Sequence, residues 1–245
     1  GEVILSAATD LRLKIWSVRD GSCPVTLAGH SRRISEVAII DRGRNILSCS
    51  KDGTAKLWDC GTGTCISTVH ASAAEVNACA VHAATAATPT AAGGGSGESA
   101  GAGAGDEGRE IEHAAAAQVI KATAAASVSE REVGTEGKVV LLALETGSTI
   151  AVDLRSRTLV ATCHAPLSIN VGEGLGGLGA AGGGHRRSAT ACCFTSGGAT
   201  VAAGFDDGAV ACWDLRNCSV PVATYWKHEA SVTSIASGGA GGCVV

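Results

Sequence analysis

The residue types with the clearest chemical potential are His30, Ser48, Ser50 and Asp52, a serine, histidine and aspartate set lying within 23 residues. Such a set can activate a hydroxyl for nucleophilic attack when the histidine takes the serine proton and the carboxylate orients the ring. That chemistry also needs the serine at an exposed turn with backbone donors beside it. Here both serines fall inside an apolar strand pattern with no nucleophile elbow, so no catalytic residue is assigned. Gly172, Gly174 and Gly177 match a dinucleotide fingerprint by letters alone, for they sit in a glycine-rich run with neither the preceding strand nor the following helix that would cradle a pyrophosphate. The run from Gly134 to Lys138 lacks the spacing of a phosphate loop, and no cysteine or histidine spacing resembles a zinc site. No cofactor and no metal are therefore expected.

A second pattern explains the same residues better. Three times an aspartate at a turn is followed six residues later by a tryptophan that closes a short apolar strand: Asp10 to Trp16, Asp52 to Trp58 and Asp207 to Trp213. Three of the chain's 4 tryptophans fall in this one frame, which is the mark of a repeated unit. Trp16 and Trp58 are 42 residues apart, the length of one four-stranded propeller blade.

The elements that must carry this frame follow from alternating apolar stretches punctuated by Gly, Asp and Asn. Residues 1–82 hold a partial first blade, a complete second one and the start of a third. Residues 83–127 form a low-complexity Ala/Gly/Ser/Thr insertion, within which 111–127 could make a short alanine-rich helix. Residues 128–163 finish the third blade, in which Val152-Asp153 stands where Trp-Asp stands elsewhere. Residues 164–188 are a glycine-rich loop, and 189–245 give a fourth blade and the first strand of a fifth, starting at Ser231. The fold expected is all-β: an incomplete propeller of about four blades out of a usual seven, with two insertions. Because each blade is buried by its neighbours, this polypeptide by itself should be marginally stable. In such a ring the first insertion hangs from the bottom face and the second lies on top.

Composition narrows the partners. A net charge of -4 with intermixed signs provides no basic field for nucleic acid. The 11 cysteines are an odd number and mostly sit in strands as small hydrophobes, which reads as free thiols in a reducing compartment. No apolar run of bilayer length exists, so cytoplasm or nucleus is the expected location, with no membrane partner. The chain has 0 methionines and is expected to be an internal piece of a longer protein.

The Gly29-His30 pair, the Asp-to-Trp-Asp frames and the repeat length together resemble the WD-repeat propeller family. Residues 29–66, 129–144 and 156–163, with the Cys192-Cys193 pair and the Glu132 to Glu136 stretch, are similar within it to the proteasomal ATPase-associated factors. The family resemblance implies that His30, Ser50 (or Ser48), Asp52 and Trp58 form a structural tetrad of hydrogen bonds inside the blade. It also implies a non-enzymatic role: binding ATPase subunits of the proteasome regulatory particle and controlling assembly of its base. Charges expected on the top face, and so the candidates for partner contact, are Arg32, Arg33, Lys51, Asp206, Lys227 and Glu229. The alternative is a substrate receptor of a cullin-RING ubiquitin ligase. In that reading Trp213-Asp214-Leu215-Arg216 docks on the ligase adaptor through Arg216. A generic WD-repeat scaffold is the third reading.

Overall fold

The computed structural model describes residues 2–40, 43–71, 74–83, 130–166, 187–195 and 198–237. Almost all of the first insertion, including the alanine-rich 111–127 run, and most of the second lie outside the described residues.

The described residues form four antiparallel sheets and no helix. The first has three strands, β1 (Val3–Ala7), β2 (Arg12–Ser17) and β3 (Val25–Ala28). The second is β4 (Ile34–Ile40), β5 (Asn45–Ser50), β6 (Thr54–Asp59) and β7 (Thr64–His70). The third is β8 (Val76–Ala83), β9 (Lys138–Leu144), β10 (Thr149–Asp153) and β11 (Leu159–Cys163), and the fourth is β12 (Ala189–Phe194), β13 (Thr200–Phe205), β14 (Ala209–Asp214) and β15 (Ala223–Trp226). Each sheet runs in sequence order as a meander, so each is one blade of an incomplete propeller.

The turn aspartates explain why the meanders close where they do. Asp10, Asp52 and Asp207 each accept the backbone N–H two residues on, at 3.2, 3.0 and 3.1 Å. The side chain thereby satisfies a turn donor and starts the strand that ends on the tryptophan. In two of these turns the next residue is a glycine with positive φ, 79° at Gly53 and 85° at Gly208. At Gly208 a Cβ would also lie 2.4 Å from the His228 carbonyl oxygen.

The core lies between blades. Leu13 and Leu27 of the first blade pack with Ile34, Ile46 and Trp58 of the second. Leu47, Leu57 and Val69 of the second meet Val140, Leu142 and Ile150 of the third. Leu141 and Ala151 of the third meet Phe205 and Trp213 of the fourth. Each sheet thus depends on its neighbour for burial, and on β1 Val3 and Ile4 remain 54% and 56% exposed.

A blade-to-blade staple repeats along the inner strands. β4, β8 and β12 each carry a bulge at the same place, and the bulged residues are Ser35, Asn77 and Thr190. Ser35 donates to Val76 O at 2.5 Å and Asn77 to Ala189 O at 2.7 Å, while Thr190 donates to Val232 O. The extra residue re-aims a polar side chain sideways onto the next blade. The third staple holds residues 231–237 beside β12, where Ser237 also donates to Phe194 O at 2.6 Å. The strand expected from Ser231 does not form, however. An inner strand is built by pairing with the second strand of its own blade, and no such strand is present among the described residues.

Candidate functional site

The polar chain inside the second blade starts at Asp52, which has just been placed at the turn before β6. Its Oδ2 lies 2.8 Å from His30 Nδ1, and His30 Nε2 lies 2.7 Å from Ser48 Oγ. Trp58 Nε1 donates to the same Ser48 oxygen at 2.8 Å. A carboxylate only accepts, so Nδ1 carries the proton, Nε2 accepts from the serine hydroxyl and the serine oxygen accepts from the indole. Burial pushes the His30 pKa below its ordinary value against the opposing pull of Asp52, so the ring is neutral at pH 7. Burial alone would raise the Asp52 carboxyl, but hydrogen bonds from Thr54, His30 and Ser31 outweigh it and hold the pKa down.

The serine in this chain is Ser48, which corrects the expectation of Ser50. Trp58 sits opposite Ile46 in the β5–β6 register, and its ring reaches one diagonal step along β5, to Ser48. Ser50 lies a further two residues away. It donates instead to Arg32 O and Arg33 O at 2.9 and 3.0 Å and fastens the loop that carries His30. Ser48 is 0% exposed and its oxygen is already saturated, so it has no path to a substrate.

Other blades keep only parts of this bracing. Trp16 donates to Ser6 at 2.8 Å, again ten residues back. In the fourth blade the corresponding position is Ala203, and the buried indole N–H of Trp213 has no acceptor among the described residues. In the third blade Val152 and Leu142 replace the indole and the hydroxyl, and both are buried.

The rim charges divide into two sets. Arg32 and Lys51 both pair with Glu75, at 2.6 and 3.2 Å, and Lys51 also bonds Asn77. Asn77 donates to Ser188 Oγ at 2.8 Å, and the Ser188 N–H donates to Asp206 at 3.0 Å. Arg187 pairs with Asp207, and its guanidinium stacks 4.3 Å from the Trp226 ring centre. Three of the sequence-predicted contact residues, Arg32, Lys51 and Asp206, thus belong to a polar belt running across three blades. Arg33, Lys227 and Glu229 are exposed, and their side chains form no hydrogen bond or ion pair among the described residues. Arg216 is exposed at the turn after β14, with its backbone N–H bonded to Asp214 at 2.9 Å.

Sequence reasoning missed the strap formed by residues 130–137. Glu132 and Arg157 make an ion pair at 2.8 Å with side chains 0% and 3% exposed. Arg157 has φ 56°, in a turn position that holds glycine at Gly21 and Gly63, both with φ 69°. Asn45 of the second blade, itself 0% exposed, accepts the Val133 N–H at 3.0 Å and donates to Trp58 O at 3.2 Å. The strap therefore joins the second and third blades. A non-glycine residue at the left-handed position is the one local signal that could have exposed it.

Among the described residues no cluster of acidic, cysteine and histidine side chains could hold a metal ion, and no helix is long and apolar enough to cross a membrane.

Comparison with known proteins agrees with the blade anatomy. Residues 21–59 and 181–214 match the WD domain, G-beta repeat. These stretches include the frames ending at Trp58 and Trp213, and the blade without tryptophan is not matched. The chain is 47% identical over 68 residues to the 26S proteasome regulatory subunit RPN14 of Saccharomyces cerevisiae, covering 28% of this chain and 16% of that protein. It is 44% identical over 59 residues to the nuclear distribution protein PAC1 of Arthroderma otae, covering 24% and 13%. With pre-mRNA-processing factor 17 of Mus musculus it shares 38% identity over 68 residues, covering 27% and 12%. The matched segments span well under a fifth of each of these relatives.

Proposed function

We propose that this chain, which carries WD40 repeats, is a non-enzymatic interaction propeller that binds ATPase subunits of the proteasome regulatory particle and regulates assembly of its base, in the cytoplasm or nucleus. The observation that carries the reading is the 47% identity over 68 residues to a proteasome regulatory subunit. Relatives named for other pathways match at lower identity over similar lengths, as expected where only the repeat is shared. The contact residues in this reading are Arg33, Lys227 and Glu229, because Arg32 and Lys51 are engaged in holding blades together and Asp206 in fastening Ser188 within its own blade.

The test is affinity purification of the full-length protein with mass spectrometry of its partners, beside a variant carrying Arg33→Glu and Lys227→Glu. The reading expects proteasomal ATPases with the parent protein and their loss in the variant at unchanged stability. Recovery of a ligase adaptor instead, abolished by Arg216→Ala, supports the receptor reading favoured by the exposure of Arg216. Partners from an unrelated complex, with neither set present, leave the generic scaffold.

A further inference from the structure

We propose that the boundary between the first and second blades holds a docking cleft for an extended segment of a partner protein, one that sets bulky aliphatic side chains beside a carboxylate. The cleft is about 580 Å³, inside the range of roughly 300–1,000 Å³ usual for binding pockets. Val3, Leu5 and Ile15 of the first blade form one wall, and Ile39 and Ile46 of the second form the other. Val3 and Ile39 are 54% and 59% exposed, so apolar side chains on both walls stand open to solvent. The cleft lies where β4 passes into β5, at the opposite end of β4 from Arg33, and is therefore separate from the contacts proposed above.

The next boundary shows what fits such a place. Val3 stands opposite Ser17 in the first blade as Asn45 stands opposite Asp59 in the second, so the two positions are equivalent. Beside Asn45, between the second and third blades, runs the strap: Asn45 accepts the Val133 N–H at 3.0 Å, and Glu132 pairs with Arg157 at 2.8 Å. The strap is the end of the connection from β8 to β9, which covers residues 84–137. The matching connection from β4 to β5 covers only 41–44, and Gly43 and Arg44 border the cleft rather than fill it.

Two replacements set the chemistry of the occupant. Val3 stands in place of the amide that fixes the strap backbone, and Gly63 in place of the guanidinium that holds the strap carboxylate. A segment in this cleft is therefore anchored by burying side chains. The cation left for its carboxylate is Arg44, which is exposed and whose side chain makes no hydrogen bond or ion pair among the described residues. Asp59 lies near enough to attract Arg44, but it is 5% exposed and turned into its own turn. Its oxygens accept the Gly61 N–H at 2.8 Å and the Thr62 hydroxyl at 3.0 Å.

A phage-displayed library of random peptides, selected on the full-length protein and counter-selected on its Ile39→Lys variant, tests this. The expected consensus has bulky aliphatic residues at alternate positions, as an extended chain presents them to one wall, next to Asp or Glu. The selected peptide, synthesised and titrated by fluorescence anisotropy, should bind the Ile39→Lys variant on the order of tenfold more weakly, because a charge then sits in the apolar wall. Its binding to the parent should weaken with salt, and Arg44→Glu should lower the affinity and remove that dependence. The Arg33→Glu, Lys227→Glu variant should bind it as the parent does, whatever becomes of the proteasomal reading. Ile39 and Arg44 are exposed, so these variants should melt with the parent. Failure to enrich any aliphatic and acidic sequence over the variant overturns the proposal, as does a selected peptide that binds Ile39→Lys and Arg44→Glu as tightly as the parent. It is equally overturned if Ile39→Lys lowers the thermal midpoint, which would mean that another part of the same chain fills the cleft. Conversion of a dimer to a monomer by Ile39→Lys in light scattering would overturn it too, assigning the cleft to a second copy.

Discussion

Ser48 and Ala203 occupy the same position in two blades, and exchanging their side chains should move stability in opposite directions. Ser48→Ala removes one oxygen that serves two partners: Trp58 Nε1 at 2.8 Å and His30 Nε2 at 2.7 Å. Both partners are buried, with Trp58 1% and His30 6% exposed. A buried polar group left unsatisfied costs about 1–3 kcal/mol, so with two such groups the loss should be about 2–6 kcal/mol. The deleted oxygen is small, and the cavity left behind adds little. Ala203→Ser is the converse. It offers an acceptor to the orphaned Trp213 indole, and one neutral hydrogen bond contributes about 1 kcal/mol net. Urea denaturation of the full-length protein, followed by tryptophan fluorescence, measures both. Midpoints should move down for Ser48→Ala and up for Ala203→Ser at constant m. A Ser48→Ala cost below about 0.5 kcal/mol, the size of an ordinary surface substitution, would refute the bracing role.

Glu132→Gln removes the carboxylate facing a buried guanidinium and should cost about 3–5 kcal/mol. Glu132→Leu combined with Arg157→Gly should recover most of that loss, since glycine relieves the left-handed backbone, and thermal melts of both variants decide. The Gly208→Ala substitution sets a Cβ against the His228 carbonyl at positive φ and should destabilise by about 2 kcal/mol, read from the same urea series. For pH dependence, the folded-state pKa of His30 lies below its unfolded value, so the unfolded chain binds more protons near pH 6. Its contribution is complete above the unfolded pKa and is lost as pH falls through that value toward the folded one. Asp52 acts in the same direction at lower pH, because its folded pKa is depressed. Stability should fall between about pH 7 and pH 5, and His30→Gln should flatten that part of the profile.

The blade boundaries were legible because the turn aspartate and the closing tryptophan recur with fixed spacing, and the aspartate caps the same turn in every blade that has it. The choice between Ser48 and Ser50 was not legible. Both point to the same face of β5, and only the diagonal reach of the indole selects one. The bulge staples were hidden for a different reason: Ser35, Asn77 and Thr190 share a position and a function but not a side chain, so no repeat shows in the letters. The strap from Glu132 to Arg157 pairs residues 25 apart, which no local pattern reports. The rim charges were placed by loop polarity, but a charge in a top loop can face solvent or a neighbouring blade. Arg32 and Lys51 chose the neighbour, and Asp206 turned to the Ser188 N–H of its own blade.

Affinity purification of the full-length protein under native salt, with quantitative mass spectrometry against a tag-only control, tests the functional account most directly. The account predicts ATPase subunits of the proteasome regulatory particle among the enriched partners, and their depletion when Arg33 and Lys227 are both replaced by glutamate. Enrichment of a different complex with proteasomal ATPases at control level would contradict it.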